Sequence, residues 1–259
     1  MVAHNGKQKI WAMLEACRIR PNSCLLVHSA FRRFSRAGFA VDDVLEALTD
    51  YMSAGTLLLP TMSWRYTNQK NPFFHEISTP SNTGILSEGF RQNLAERRSL
   101  HPTHSVAGIG RDLDYFLGEH HLDRTPCGAR SPFKRLIDAD GQILMMGIGM
   151  DCCTLLHQAE EEVAIDVYLK GESEAVEYTS TDRNNVDHKV TVRHHYLMKR
   201  NYWQYQDRLH YGGQLRSVRC GAPICNGFDA RDLSALAIES LRADKFAVLG
   251  CDGDRYRMM

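Results

Sequence analysis

The segment with the most chemical potential in this chain is Thr154-Leu155-Leu156-His157-Gln158-Ala159-Glu160. On a helix, positions i and i+3 share a face, so His157 and Glu160 would be neighbours. A carboxylate beside an imidazole fixes the ring's orientation or favours its charged form, and so should raise the ring's pKa. Both effects serve a general base. The same pair also occurs as a purely structural contact, and spacing alone leaves the two readings open. A second constellation is Leu100-His101-Pro102-Thr103-His104-Ser105-Val106-Ala107. Its histidines have the spacing of metal ligands. Yet the chain holds no His-Glu-x-x-His and no Cys-x-x-Cys, and Cys152 and Cys153 are adjacent, too close for ordinary zinc geometry. No metal is expected, and a histidine-rich metal-dependent hydrolase stays open only as the lesser alternative. The segment is then either a loop whose hydroxyls satisfy the backbone locally, or a set of amides and hydroxyls that binds an elongated cofactor. Third, Val27-His28-Ser29-Ala30 places a histidine and a hydroxyl after an apolar run. Gly-x-Ser-x-Gly is absent, which argues against a hydrolase elbow. Gly147-Ile148-Gly149 lacks the third glycine of a dinucleotide fingerprint. Arg32, Arg33 and Arg36 could meet phosphates or form a solvated face.

These groups need elements to hold them. Residues 8–19 carry Ile10, Met13, Leu14 and Cys17 at helical spacing. Pro21-Asn22 breaks that pattern, and Cys24–His28 reads as a buried strand. Val41–Met52 is a second helix and Thr56–Thr61 a second buried strand. Strand–helix–strand order implies a βαβ unit and a sheet that is parallel at least in part. Residues 62–82 are rich in Asn, Pro, Ser, Thr and aromatics and read as an ordered surface loop. Gly84–Glu96 resumes a helix, Val106–Ile109 and Gln142–Ile148 are strands, and a helix over Thr154–Val163 opens directly after the latter. A histidine there lies where open α/β sheets bind ligands, beyond the carboxyl ends of strands. Residues 174–193 alternate polar and β-branched side chains around Asp182–Asn185, an antiparallel hairpin added to the main sheet. Ala230–Leu241 is the last helix, followed by a short apolar segment, Phe246–Leu249. One domain over residues 1–259 is expected.

Composition narrows the function classes. Lys plus Arg equals Asp plus Glu at 31 each, so there is no basic field for a nucleic-acid partner. The apolar runs are too short to span a bilayer, and Met1–Lys9 lacks the apolar stretch of a signal peptide. Eight cysteines without framework spacing read as reduced thiols in a cytoplasmic protein.

Taken in order, these segments resemble the aminoglycoside 3-N-acetyltransferase family, which is distinct from the GCN5-type acetyltransferases. The matching stretches are Val27-His28-Ser29, Gly55–Thr61, and Thr79-Pro80-Ser81 with Gly84 and Phe90-Arg91. They continue through Arg98-Ser99, His101–Ala107, Gly128 with Ser131-Pro132-Phe133, Ile143–Gly147 and Thr154–Glu160. The likeness is strong over residues 9–165 and weak beyond. It implies a three-layer α/β/α fold with a mixed, mainly parallel sheet. It also implies acetyl-CoA as cosubstrate, no metal, and direct transfer to an amine, with His157 as base and Glu160 beside it. By the same resemblance His28, Ser29, Ala30, His104, Ser105 and Val106 would line the pantetheine arm and thioester, with Ser131 and Phe133 near the same cleft. Trp64 and Asp207 would contact the acceptor, an aminoglycoside or other amino sugar, and a homodimer is compatible. Family members that modify antibiotics carry an acidic segment after a tryptophan in the last third. Here its counterpart, Trp203-Gln204-Tyr205-Gln206-Asp207-Arg208-Leu209-His210, keeps one carboxylate, Asp207. That departure admits a nucleotide-linked amino sugar as the alternative acceptor.

Overall fold

The computed structural model describes residues 2–250; Met1 and residues 251–259 of the expected domain, with Met1 of the polar N-terminal stretch, lie outside the described residues. In chain order the elements are α1 (Val2–Ala16), β1 (Cys24–Ser29), α2 (Phe31–Arg36), α3 (Val41–Tyr51), β2 (Thr56–Pro60) and β3 (Phe73–His75). Next come α4 (Ile85–Asn93), β4 (Arg97–Arg98), β5 (Val106–Gly110), α5 (Leu113–Leu117), α6 (Pro132–Asp138), β6 (Gln142–Met146) and α7 (Leu156–Val163). The chain ends with α8 (Ile165–Tyr168), β7 (Val176–Thr181), β8 (Asp187–Val192), α9 (Trp203–Tyr211), β9 (Arg216–Arg219), β10 (Ile224–Asp229) and α10 (Ala230–Ala243).

The main sheet runs β4-β5-β2-β1-β6-β10-β9. Its centre is parallel, with β1 paired to β2 and β6. The outer strands β5, β4, β10 and β9 run antiparallel to their neighbours. Every residue of β2 and β6 is buried, as expected for strands covered on both faces. Alternation divides β1 cleanly: Leu25 and Val27 pack with α1, α3 and α4, while Cys24 and Leu26 pack with the core under α6, α7, α9 and α10. Those two cores make the three-layer α/β/α arrangement that the family resemblance implied.

Three expectations change. The first helix ends at Ala16 rather than 19, because Arg18 takes a left-handed φ of 56° and the Ile19 amide turns back to the Leu14 carbonyl. The 174–193 hairpin forms, with Val176 opposite Val192 and Thr181 opposite Asp187, but it joins no edge of the main sheet. Its partner is β3, from inside the stretch read as loop, which pairs parallel to β7. Tyr178, Val190 and Val192 give this small sheet its own core. Finally, α7 does not follow β6 directly. A short 3-10 turn at Met150–Cys152 intervenes and sets the wall of the site described next.

Candidate active site

A cleft of about 360 Å³ opens where the parallel strands end. His28 and Ser29 at the end of β1, Pro60 at the end of β2, and the Ile148–Thr154 stretch after β6 form its walls together with His104 and Trp64. Gly149 is what lets this stretch close on α9, since a Cβ there would sit 2.0 Å from the Trp203 ring. Tyr202, just before α9, thereby reaches the cleft beside His157.

His157 is the second residue of α7 and Glu160 lies one turn on. The helix turns Leu156 and Ala159 into the core, which carries the two polar side chains together as the i, i+3 spacing required. His157 Nδ1 lies 2.8 Å from Glu160 Oε2. The Tyr202 hydroxyl donates to Glu160 Oε1 and is 3.1 Å from the same Nδ1. Because that hydroxyl's proton goes to the carboxylate, Nδ1 must be the protonated ring nitrogen, donating to Oε2. Nε2 is left unprotonated, on a side chain that keeps 23% of its surface exposed against 0% for Glu160. A fully buried carboxylate requires strong partners, and Glu160 has them. Arg200 reaches it twice, Nε to Oε1 at 2.7 Å and a terminal nitrogen to Oε2 at 3.2 Å. His195 Nδ1 is 3.4 Å from Oε2, while its Nε2 lies 2.8 Å from Glu161 Oε1.

The charge states follow from these contacts. Burial would raise the Glu160 carboxyl, but His157, His195 and Arg200 outweigh it and hold the group well below the usual carboxylate range. Burial lowers His195, and Glu160 and Glu161 more than reverse that, so its imidazolium form is favoured. For His157 burial is the largest influence and lowers its proton affinity; His195 adds to it, and the opposing pull of Glu160 is not enough. The ring therefore lies below the ordinary histidine range, not above it as the dyad alone implied. His157, Glu160 and His195 have ligand atoms within 4.8 Å of one another. A metal there would have to displace the Arg200 guanidinium from the only shared carboxylate and then sit beside it, which like-charge repulsion opposes.

A family model described as aminoglycoside 3-N-acetyltransferase matches residues 26–242. The chain belongs to that family. Among curated relatives, aminoglycoside N(3)-acetyltransferase IV of Salmonella sp is 32% identical over 143 residues, covering 55% of this chain and 53% of the relative. The prophage-derived acetyltransferase-like protein YokD of Bacillus subtilis is 25% identical over 178 residues, covering 61% and 65%. The chain thus matches about half to two thirds of the length of these relatives. Its fold is shared with the aminoglycoside acetyltransferase AAC(3)-IVa apoenzyme, with a TM-score of 0.79 at 22% identity over 96% of this chain and 93% of the other. A structure of AAC-IIIb in binary complex with CoASH matches with a TM-score of 0.76 at 22% identity, over 92% and 96%.

Set in this family frame, the residues expected at the site divide. His28, Ser29, Trp64, His104 and His157 line the cleft, Ala30 follows as the N-cap of α2, and Glu160 stands directly behind His157. Ser105, Val106, Ser131 and Phe133 point elsewhere. The Ser105 hydroxyl donates to the Thr61 carbonyl and accepts from buried Arg98. The Val106 side chain is core and its amide bonds Ser99 Oγ. Ser131 caps α6, accepting from the Lys134 amide, and Phe133 is core. Asp207 is exposed on α9 and is not among the residues that line the cleft. Sequence reading missed His195, Arg200 and Tyr202; the one signal was the density of titratable residues in His194–Tyr202. All seven described cysteines are free, and no helix among the described residues is long and apolar enough to cross a membrane.

Proposed function

We propose that this chain transfers the acetyl group of acetyl-CoA to an amino group of an amino sugar, with His157 as the general base. The observation that carries this reading is the dyad: Glu160 accepts the hydrogen bond from Nδ1–H, so Nε2 offers a lone pair at the cleft. The naming of the relatives as aminoglycoside N(3)-acetyltransferases and the CoASH complex of a family member support it. As the amine nitrogen bonds the thioester carbonyl carbon, its N–H proton passes to Nε2. When the C–S bond breaks, the imidazolium returns that proton to the departing sulfur, giving the amide and the free thiol. Glu160 stabilises the imidazolium while it exists. His28 suits the thioester arm: only 7% exposed, its Nε2 has no protein partner, and burial draws it down to about 4, so it stays neutral. Ser29 and His104 line the same wall, and the half-exposed Trp64 offers a flat surface for a sugar.

A nucleotide-linked amino sugar is the second acceptor this cleft favours, because its walls carry one carboxylate, Asp151. The test is thiol release from acetyl-CoA across a panel of aminoglycosides, simple amino sugars and nucleotide-linked amino sugars. Release that depends on the amine, with the acetamide as matching product, is expected. Release without any amine, or none with any, would overturn the proposal.

A further inference from the structure

We propose that Arg200 is a positioning residue for this reaction: its guanidinium satisfies the charge of Glu160, so that His157 stays neutral with Nε2 free. The inference rests on His157 being the base, and on the geometry of four side chains, His157, Tyr202, Arg200 and His195, converging on one carboxylate. Glu160 is fully buried and has two oxygens. Arg200 contacts both, at 2.7 and 3.2 Å. Its remaining terminal nitrogen donates to the Tyr196 and Met198 carbonyls at 3.2 Å each, and its plane lies 5.5 Å from the Tyr168 ring. The cation is thus fixed from several sides, with little freedom to swing away. A guanidinium is charged at every working pH. With that charge in place, the carboxylate need not draw a proton onto His157 to be balanced. Tyr202 completes the division by donating to Oε1, which leaves Oε2 for the Nδ1 proton.

The other groups facing the dyad do not replace this role. His195 acts in the same sense on His157, but it is titratable and gains its charge from Glu160 and Glu161. His104, across the cleft, is held neutral by burial. Tyr168, Tyr202, Tyr205 and Cys127 are all pushed upward by burial and stay uncharged. Arg200 is the fixed cation in contact with Glu160.

The experiment follows the His157 ring by 15N NMR in the free protein, assigned with His157→Asn, together with kcat/KM against pH. Removing the cation in Arg200→Met should raise the His157 midpoint, and move the acidic limb of kcat/KM with it to higher pH. Turnover should fall about tenfold on the acid side and recover as pH rises. Arg200→Lys should leave the midpoint near that of the parent protein. If Arg200→Met does not fold, Arg200→Gln keeps a donor without the charge and should shift the midpoint in the same direction. An unmoved midpoint in the neutral variant, or a rate loss equal at every pH, would show a merely structural contact and overturn the proposal. Full activity in His157→Ala would instead refute the base itself, a result distinguishable because the ring titration is read without turnover.

Discussion

Two pairs of histidines lie against the same sheet, one buried and one partly exposed, and they differ in what they touch. His101 and His120 pack ring to ring with centroids 4.7 Å apart. His120 Nε2 donates to the Pro126 carbonyl at 3.0 Å, and its Nδ1 accepts from Ser99 Oγ at 2.9 Å. His101 Nδ1 accepts from the amides of Thr103 and His104. No carboxylate contacts either ring among the described residues, and burial holds both neutral, His120 down to about 3. His157 and His195 are also ring neighbours, at 4.4 Å, but they share Glu160. Burial alone makes a histidine a fixed hydrogen-bonding strut that cannot accept a proton near neutrality. In the mechanism proposed for His157, a buried carboxylate, itself balanced by a guanidinium, supplies part of the proton affinity that burial removes. The difference between strut and base lies in the partner.

The sharpest way to break that contrast is to truncate one histidine from each group. His157→Ala should lower turnover by about two to four orders of magnitude, the usual size of general-base catalysis, with little change in melting temperature. His120→Ala should do the reverse. It leaves a cavity and strips partners from Ser99 and Pro126, costing about 2–4 kcal/mol, while turnover at low temperature persists. The pH dependence of stability supplies a second readout. The folded pKa of His120, about 3, lies below its unfolded value of 6.5. The unfolded chain therefore takes up the proton first, and this contribution, present above pH 6.5, is lost as pH falls toward 3. Thermal melts of His120→Ala between pH 6.5 and 5 should show a shallower decline than the parent. A steep loss of turnover in both variants would mean the two groups form one catalytic unit.

Glu160→Gln sharpens the same comparison by giving His157 a neutral partner, like those of His120. Glu160 raises the proton affinity of His157, so its loss should move the acidic limb of kcat/KM to lower pH, opposite to the shift expected for Arg200→Met. Turnover at the optimum should fall about 10- to 100-fold, the usual cost of losing the partner that orients a functional histidine. A pH–rate profile with an unmoved limb would separate Glu160 from the titration of the base.

How much of this was legible in the sequence depended on whether the contact was local. The apolar runs of β1, β2 and β6 announce themselves because both faces of each strand are covered. His157 and Glu160 are neighbours by helical geometry alone, so their contact could be read from spacing. Arg200 lies 40 residues from the carboxylate it binds, in a stretch with no periodicity, and only the fold brings it there. Motif order offered Ser105, Val106, Ser131 and Phe133 as cleft residues but could not say which way each side chain points. Val106 opens a strand with its side chain in the core, and Ser131 is taken up by capping. The hairpin's docking was hidden for a related reason: β3 is three residues long, too short to show alternation.

The smallest expected effect concerns the acceptor, and it extends the comparison from proton to substrate charge. A polycationic aminoglycoside would favour a cleft with several carboxylates, since each exposed pair is worth only about 0.5–1 kcal/mol. The walls here carry Asp151, while Glu160 stands behind His157 fully engaged. Asp207 is exposed on α9 and does not line the cleft, and Glu76, another carboxylate the loop could have supplied, is buried and paired with Arg183 at 2.7 Å. One carboxylate suits one ammonium. Asp151→Asn should therefore reduce kcat/KM by about two- to fivefold, the rate equivalent of one exposed pair. Raising salt from low to moderate ionic strength should mimic most of that loss in the parent and add little in the variant. An acceptor with a single ammonium should be used at least as well as kanamycin-type drugs under both conditions. Drug-selective turnover above about 10⁴ M⁻¹s⁻¹, in the range of an evolved substrate, with a salt dependence that survives in Asp151→Asn, would defeat this reading. The carboxylates would then have to come from a segment that moves onto the cleft when the acceptor binds.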